Sequence, residues 1–140
     1  MPPSQPASRV YFEDVQTGMP LETPGMTVTE THTALFNALS ATRPGEPGSI
    51  RDLLPLCLSS GLGWRVPQPP LVVLAFMGFE WRFLKPLRIG DTIRSLSKTV
   101  AKRSMKDGGI VVEERSILNQ HDEVVQSGRL TLLVAKRPAA

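Results

Sequence analysis

Residues 53–64 read Leu-Leu-Pro-Leu-Cys-Leu-Ser-Ser-Gly-Leu-Gly-Trp, which places apolar side chains almost all round a helix. A helix of that kind is predicted to be buried rather than laid on a surface. The downstream half of the chain must enclose it, and that half is β in character. Four runs are read as strands: Leu71–Leu84, Asp91–Ser104, Ile110–Asn119 and Val124–Ala135. The first is long enough to hold a bend near Gly78. Asp107-Gly108-Gly109 signals a hairpin, and Gln120-His121-Asp122-Glu123 a polar turn. In the last run Gly128, Leu130, Leu132 and Val134 share one face, while Arg129, Thr131 and Leu133 share the other. The predicted class is α+β: a central helix packed on one face of an antiparallel meander.

Upstream, Tyr11–Val15 leads to a turn around Gly18, and Met26-Thr27-Val28 reads as a short strand. Thr29 is placed to cap a helix over Thr31–Leu39, whose apolar residues are Leu35, Phe36, Ala38 and Leu39. Arg43-Pro44-Gly45-Glu46-Pro47-Gly48 cannot continue that helix and is read as a loop. Ser49 or Asp52 is the expected cap of the central helix, with Pro55 in its first turn, where a missing N–H matters least. Residues 1–9 and 138–140 read as frayed ends, leaving one domain over 10–137.

A chain of 140 residues with 41% hydrophobic and 21% charged residues suits one soluble domain with a real core. Its net charge of +3 is scattered, with Lys102-Arg103, Lys106 and Lys136-Arg137 the nearest approach to clusters. These read as a solvated rim, or as an attraction for an anion such as the phosphates of coenzyme A. They lack the density and aromatic platforms of a nucleic-acid surface. The single cysteine, Cys57, excludes a disulfide within the chain and fits a reducing cytoplasm; its apolar setting reads as core. No Cys/His group has metal-ligand spacing, no cofactor motif is present, and the longest apolar run, Leu71–Phe79, is too short to span a bilayer.

Four pieces, in this order, carry a resemblance: Tyr11–Gly18, Thr27–Ser40, Ile50–Leu62, and the strand-turn-strand segment Trp81–Ile93 with Lys85-Pro86-Leu87-Arg88-Ile89-Gly90-Asp91 at its centre. Together they resemble the MaoC-like dehydratases, which include the (R)-specific enoyl-CoA hydratases. The resemblance implies a single hot-dog fold, an antiparallel sheet wrapped around a central helix. It implies an acyl-CoA, acyl-carrier-protein or polyketide-like ligand, and pairing into a homodimer or a heterodimer with another hot-dog chain.

The family's chemistry rests on an Asp after the first helix and a His a few residues on, which activate water for addition to an enoyl thioester. Backbone N–H groups at the start of the central helix hold the enolate oxygen. In this chain Thr42 occupies the place of the Asp, and no His stands between it and the central helix. The connection Arg43–Ser49 is shorter than the family's. Threonine is no general base near neutral pH, so the standard dyad is missing. If the chain is an enzyme, it is expected to be lyase-type with other residues at work.

The replacement candidates are Asp52 at the helix mouth, Glu80 on a strand and His32 in the first helix. Asp52 is weighed against simple capping, Glu80 against an outward-facing strand position, and His32 against a helix-surface role. Glu46 and His121 are read as solvated. Thr42, Arg43, Leu53, Trp64 and Phe76 are expected to border the ligand, with Trp81, Phe79 and Met77 as further apolar lining. Three functions stay open. One is a binder of a hydrophobic acyl thioester or polyketide-like ligand, repurposed as a lyase, dehydratase or cyclase. Another is a non-catalytic partner that completes a hydratase heterodimer. The third is a thioesterase using Asp52 or Glu80.

Overall fold

A computed structural model describes residues 9–40, 48–66 and 68–139. In chain order the strands are β1 (Pro20–Glu22), β2 (Met26–Thr27), β3 (Ser49–Ile50), β4 (Val73–Phe83), β5 (Leu87–Arg88), β6 (Thr92–Met105), β7 (Gly108–Leu118) and β8 (Val124–Val134). The helices are α1 (Glu30–Ser40) and α2 (Leu54–Leu62), with short 3-10 turns at Phe12–Asp14 and Gly63–Arg65.

The four predicted strand runs are β4, β6, β7 and β8, but they do not form a simple meander. The main sheet has the order β1-β6-β7-β8-β4, with β2 also pairing with β6. β4 therefore lies beside the last strand, not beside β6, the next long strand in sequence. The reason lies between them: Lys85–Asp91 does not make a tight hairpin. Its β5 pairs with β3 as Ser49↔Arg88 and Ile50↔Leu87, forming a separate two-stranded ribbon. Asp91 Oδ2 accepts the Arg88 N–H at 2.8 Å and Gly90 has φ +100°, the turn chemistry expected of this segment. The expected bend in β4 appears as a register shift between Phe76 and Gly78.

The core follows the alternation of β8. Leu130, Leu132 and Val134 are buried, and α2 lies on the same face of the sheet, against β6 and β7. One cluster joins Val28, Ile50, Leu54, Leu87, Ile93 and Ile117; the other joins Phe12, Val111, Leu132 and Val134. Phe12 is seated on Gly109, where a Cβ would stand 2.0 Å from the ring. Lys102 secures this N-terminal segment by donating to the carbonyls of Phe12 and Val15, each at 2.9 Å. Lys136 donates to the Met105 carbonyl, and Arg137 pairs with Asp14. Three of the basic residues read as a solvated rim or an anion surface are thus engaged in holding the fold.

Two burial expectations are corrected. α2 buries Leu54, Pro55, Leu56, Ser59 and Leu62, but Cys57, Ser60 and Gly61 are exposed. Within one chain the sheet covers a single side of the helix, so Cys57 is not core. α1 buries none of its residues: Phe36 is half-buried against the core, while Leu39 is 87% exposed. No helix among the described residues is long and apolar enough to cross a membrane.

Candidate functional site at the start of the central helix

β3 delivers the chain to the mouth of α2 through Arg51, Asp52 and Leu53. The N-cap position itself is Leu53, which has no side-chain cap bond; Asp52, one residue earlier, covers the first turn instead, its Oδ1 accepting the Leu54 N–H at 2.9 Å in an Asx-type turn. Its second carboxylate oxygen has no partner among the described residues, and the side chain is half-buried. Ser49, the other expected cap, lies in β3 instead. Pro55 stands in the first turn, as expected. The Leu54 N–H being taken and Pro55 having none, the N–H groups of Leu53 and Leu56 are the ones at the helix start without a partner among the described residues, and that of Leu53 lies next to Asp52 in the chain.

A residue absent from the sequence-based candidates fixes this mouth to the sheet. Gln126 on β8 is 1% exposed. Its Oε1 accepts the Trp81 Nε1–H at 2.9 Å, and its Nε2 donates to the Asp52 carbonyl at 3.2 Å. The carboxamide is thus satisfied at both ends, as a buried polar group must be. A glutamine flanked by Val124, Val125 and the apolar positions of β8 was the available signal.

The remaining candidates separate. Leu53 lies half-buried at the mouth, directly before α2. Glu80 lies on the other face of the sheet from Trp81 and α2. It is paired in register with Arg129 and lines a cavity of about 440 Å³ with Arg82, Glu114, Ser116 and Ser127. His32 is a capping residue of α1: its Nδ1 accepts the Thr29 N–H at 3.0 Å, while its own N–H points at Thr29 Oγ1. Trp64 comes just after α2 and is 74% exposed. Phe76 lies on β4 beside Phe79, ring centroids 5.8 Å apart. Thr42, Arg43 and Glu46 lie outside the described residues. His121 is exposed, as expected. Among the described residues no group of His, Cys, Asp and Glu could hold a metal ion.

β4 forms an edge of the sheet and carries Val73, Leu74, Phe76, Met77, Phe79 and Phe83 exposed. Phe76, Phe79 and Phe83 are paired with Leu132, Leu130 and Gln126, so they extend the α2 side of the sheet. The site therefore comprises a capped helix start, an anchored Asp52, and an apolar row running from Trp81 to an open edge.

This architecture has solved counterparts. The monoamine oxidase regulatory protein of Archaeoglobus fulgidus is 30% identical and superimposes with a TM-score of 0.81, over 93% of this chain and 97% of that one. A putative MaoC domain protein dehydratase of Chloroflexus aurantiacus is 28% identical with a TM-score of 0.80, over 96% of this chain and 43% of that one. The chain belongs to the MaoC-like hot-dog family.

In sequence, this MaoC-like chain is 31% identical to a β-methylmalyl-CoA dehydratase of Chloroflexus aurantiacus across 91% of its length. It spans only 40% of that protein. No family model matches the chain. The relationship places it in a hot-dog family that includes dehydratases.

Proposed function

We propose that this chain is an acyl-thioester-binding hot-dog unit that works as one half of a two-unit assembly, with lyase-type chemistry that does not use the standard Asp/His dyad. The observation that carries this is the mouth of α2. An open Leu53 N–H stands beside a half-buried Asp52 oxygen, next to the apolar row of Trp81, Phe79 and Phe83. A backbone N–H at a helix start suits a thioester carbonyl oxygen and the negative charge it gains when a proton leaves the neighbouring carbon. Asp52 is the carboxylate placed to exchange that proton. Its capped oxygen is fixed by the Leu54 N–H, and the other is available to substrate. The apolar row accommodates the acyl chain.

The second unit is argued from the β4 edge. An open edge strand with exposed Phe76, Phe79 and Phe83 invites pairing. A second copy joined there by a two-fold axis would cover both the edge and the bare side of α2. The two Chloroflexus aurantiacus relatives are more than twice as long as this chain, which gives room for a second unit within one polypeptide. A heterodimer with a dyad-bearing hot-dog chain uses the same edge and makes this chain the non-catalytic half. A thioesterase in this same site would draw on Asp52 among the described carboxylates, with Glu80 on the other face of the sheet.

The test is titration with crotonyl-CoA and a longer trans-2-enoyl-CoA, read both as binding and as hydration. Binding is expected with hydration far below an ordinary hydratase, since each missing acid/base group costs about 10²–10⁴-fold. Absence of binding would reject the reading, and ordinary turnover would show that a dyad operates. Light scattering should give a dimer mass, reduced to monomer by Phe79→Arg.

A further inference from the structure

One ion pair differs from the rest. Arg115 Nε donates to Glu113 Oε1 at 2.8 Å, and the two side chains are only 13% and 16% exposed. In every other ion pair of the described residues at least one side chain is more than half exposed. Arg115 Nη1 also donates to Ser59 Oγ and Ser60 Oγ, each at 3.0 Å, so the pair lies directly beneath the second half of α2. Burial of an ion pair is a poor source of stability, because desolvation offsets the attraction.

Arg115 is paired across the sheet with Gly128, and Gly128 with Trp81. Glu113 is paired with Leu130, and Leu130 with Phe79. The charged pair therefore continues the apolar row of the proposed acyl site. Its position beneath Ser59 is five residues into α2, about 7–8 Å of helix rise from the mouth. The Nη2 N–H groups of Arg115 and the second oxygen of Glu113 have no partner among the described residues. No buried side-chain polar atom there lacks a partner, so these atoms reach solvent.

We infer that Arg115 and Glu113 together bind a hydroxyl group on the far part of the acyl chain, and that the ligand class is a hydroxylated acyl thioester. This rests on the acyl-thioester reading of the helix mouth. The pair is neutral overall and presents a donor beside an acceptor. A hydroxyl accepts from Arg115 and donates to Glu113, satisfying both. A methyl end would leave both unsatisfied on losing water. A carboxylate would gain from Arg115 but face the like charge of Glu113 in a partly desolvated site.

The experiment compares hexanoyl-CoA, 6-hydroxyhexanoyl-CoA and adipyl-CoA by isothermal titration calorimetry on the intact chain. The three share a chain length and differ at the terminal group. The hydroxy thioester is expected to bind tightest, about tenfold over hexanoyl-CoA, with adipyl-CoA weakest. The double variant Glu113→Leu/Arg115→Met replaces both charges by apolar groups, which keeps the site foldable where a single change would strand a charge. In it the order of the first two should reverse. Equal binding of hexanoyl-CoA and 6-hydroxyhexanoyl-CoA by the native chain overturns the inference but not the acyl site. So does a hydroxyl preference that survives in the double variant, or adipyl-CoA binding tightest. Binding of none of the three rejects the acyl-thioester reading and this inference with it.

Discussion

Trp81 donates its indole N–H to the side-chain oxygen of Gln126 at 2.9 Å, and through that carboxamide the outer strand β4 is tied to the backbone of Asp52 at the helix mouth. An edge strand and the start of the central helix thus share one buried polar residue.

Gln126→Leu should destabilise the fold by about 1–3 kcal/mol, because it strands the Trp81 N–H and the Asp52 carbonyl without partners. Urea unfolding followed by tryptophan fluorescence measures this. In combination with Trp81→Phe the loss should be smaller than the sum of the two single losses, since both remove one hydrogen bond. Additive losses would show that the two groups are not coupled.

Asp52→Asn should leave stability within about 0.5 kcal/mol, since asparagine caps about as well as aspartate, whereas Asp52→Ala should cost about 1 kcal/mol. Under the proposed role the Asn variant keeps its fold and ligand binding but loses turnover on the true substrate. Full turnover in Asp52→Asn would remove this carboxylate from the chemistry and leave it as a cap alone.

Thr29 and His32 form a reciprocal cap on α1, with the imidazole Nδ1 in the place usually taken by Glu or Gln. His32→Ala should therefore loosen the first turn of α1 by about 0.5–1 kcal/mol. His32→Gln should restore it. Amide exchange at Thr29 and His32 reports the difference, and equal protection in all three proteins would count against the capping role.

Acid should open the junction of the two chain ends. The Glu13 carboxyl is held below its ordinary 4.5, chiefly by the Arg137 backbone N–H. The Asp14 carboxyl is held below its ordinary 3.8, first by the Tyr11 backbone N–H and then by the Arg137 guanidinium. Folded-state values below the unfolded ones mean that the contribution is complete above the unfolded values and is lost as pH falls through the folded ones. The Arg137 and Tyr11 amide resonances should hold steady from neutral pH down to about 4.5 and then shift together below it. Independent shifts would show that the two carboxylates do not act as one clasp.

Gly128→Ala should be among the most damaging small substitutions in the chain. A Cβ there would lie 1.9 Å from the Glu80 carbonyl oxygen and 2.7 Å from Trp81 Cε3, so β8 and β4 must separate to admit it. Gly61→Ala, with nothing within 4 Å, should be neutral or raise the melting temperature slightly. Thermal melts of the pair test both; a stable Gly128→Ala protein would contradict the packing at this crossing.

The sequence made the long strands legible because β8 alternates cleanly and because turn residues bound each run. The Asx-type turn at Asp91 and the Thr29 cap were also legible, since both are local side-chain chemistry. The pairing of β4 with β8 was not, because strand order depends on contacts between residues such as Glu80 and Arg129 that no local pattern relates. At the site, Asp52 and Leu53 could be placed from the start of the helix. Gln126 and Arg115 could not: each is a polar residue within a strand, and only the folded chain brings α2 over them. The exposure of Cys57 shows the converse limit. An apolar neighbourhood in sequence does not say which side of a helix is covered.

The place of β4 in the sheet bears on how the protein is made. The ribosome releases this apolar strand well before β8, the strand that pairs with it among the described residues. β6 and β7 can close their hairpin during synthesis, but Val73–Phe83 must wait, unpaired, until β8 emerges. A chain truncated before Val124 lacks that partner and would expose both edges of the ribbon, the arrangement that makes apolar strands prone to aggregate.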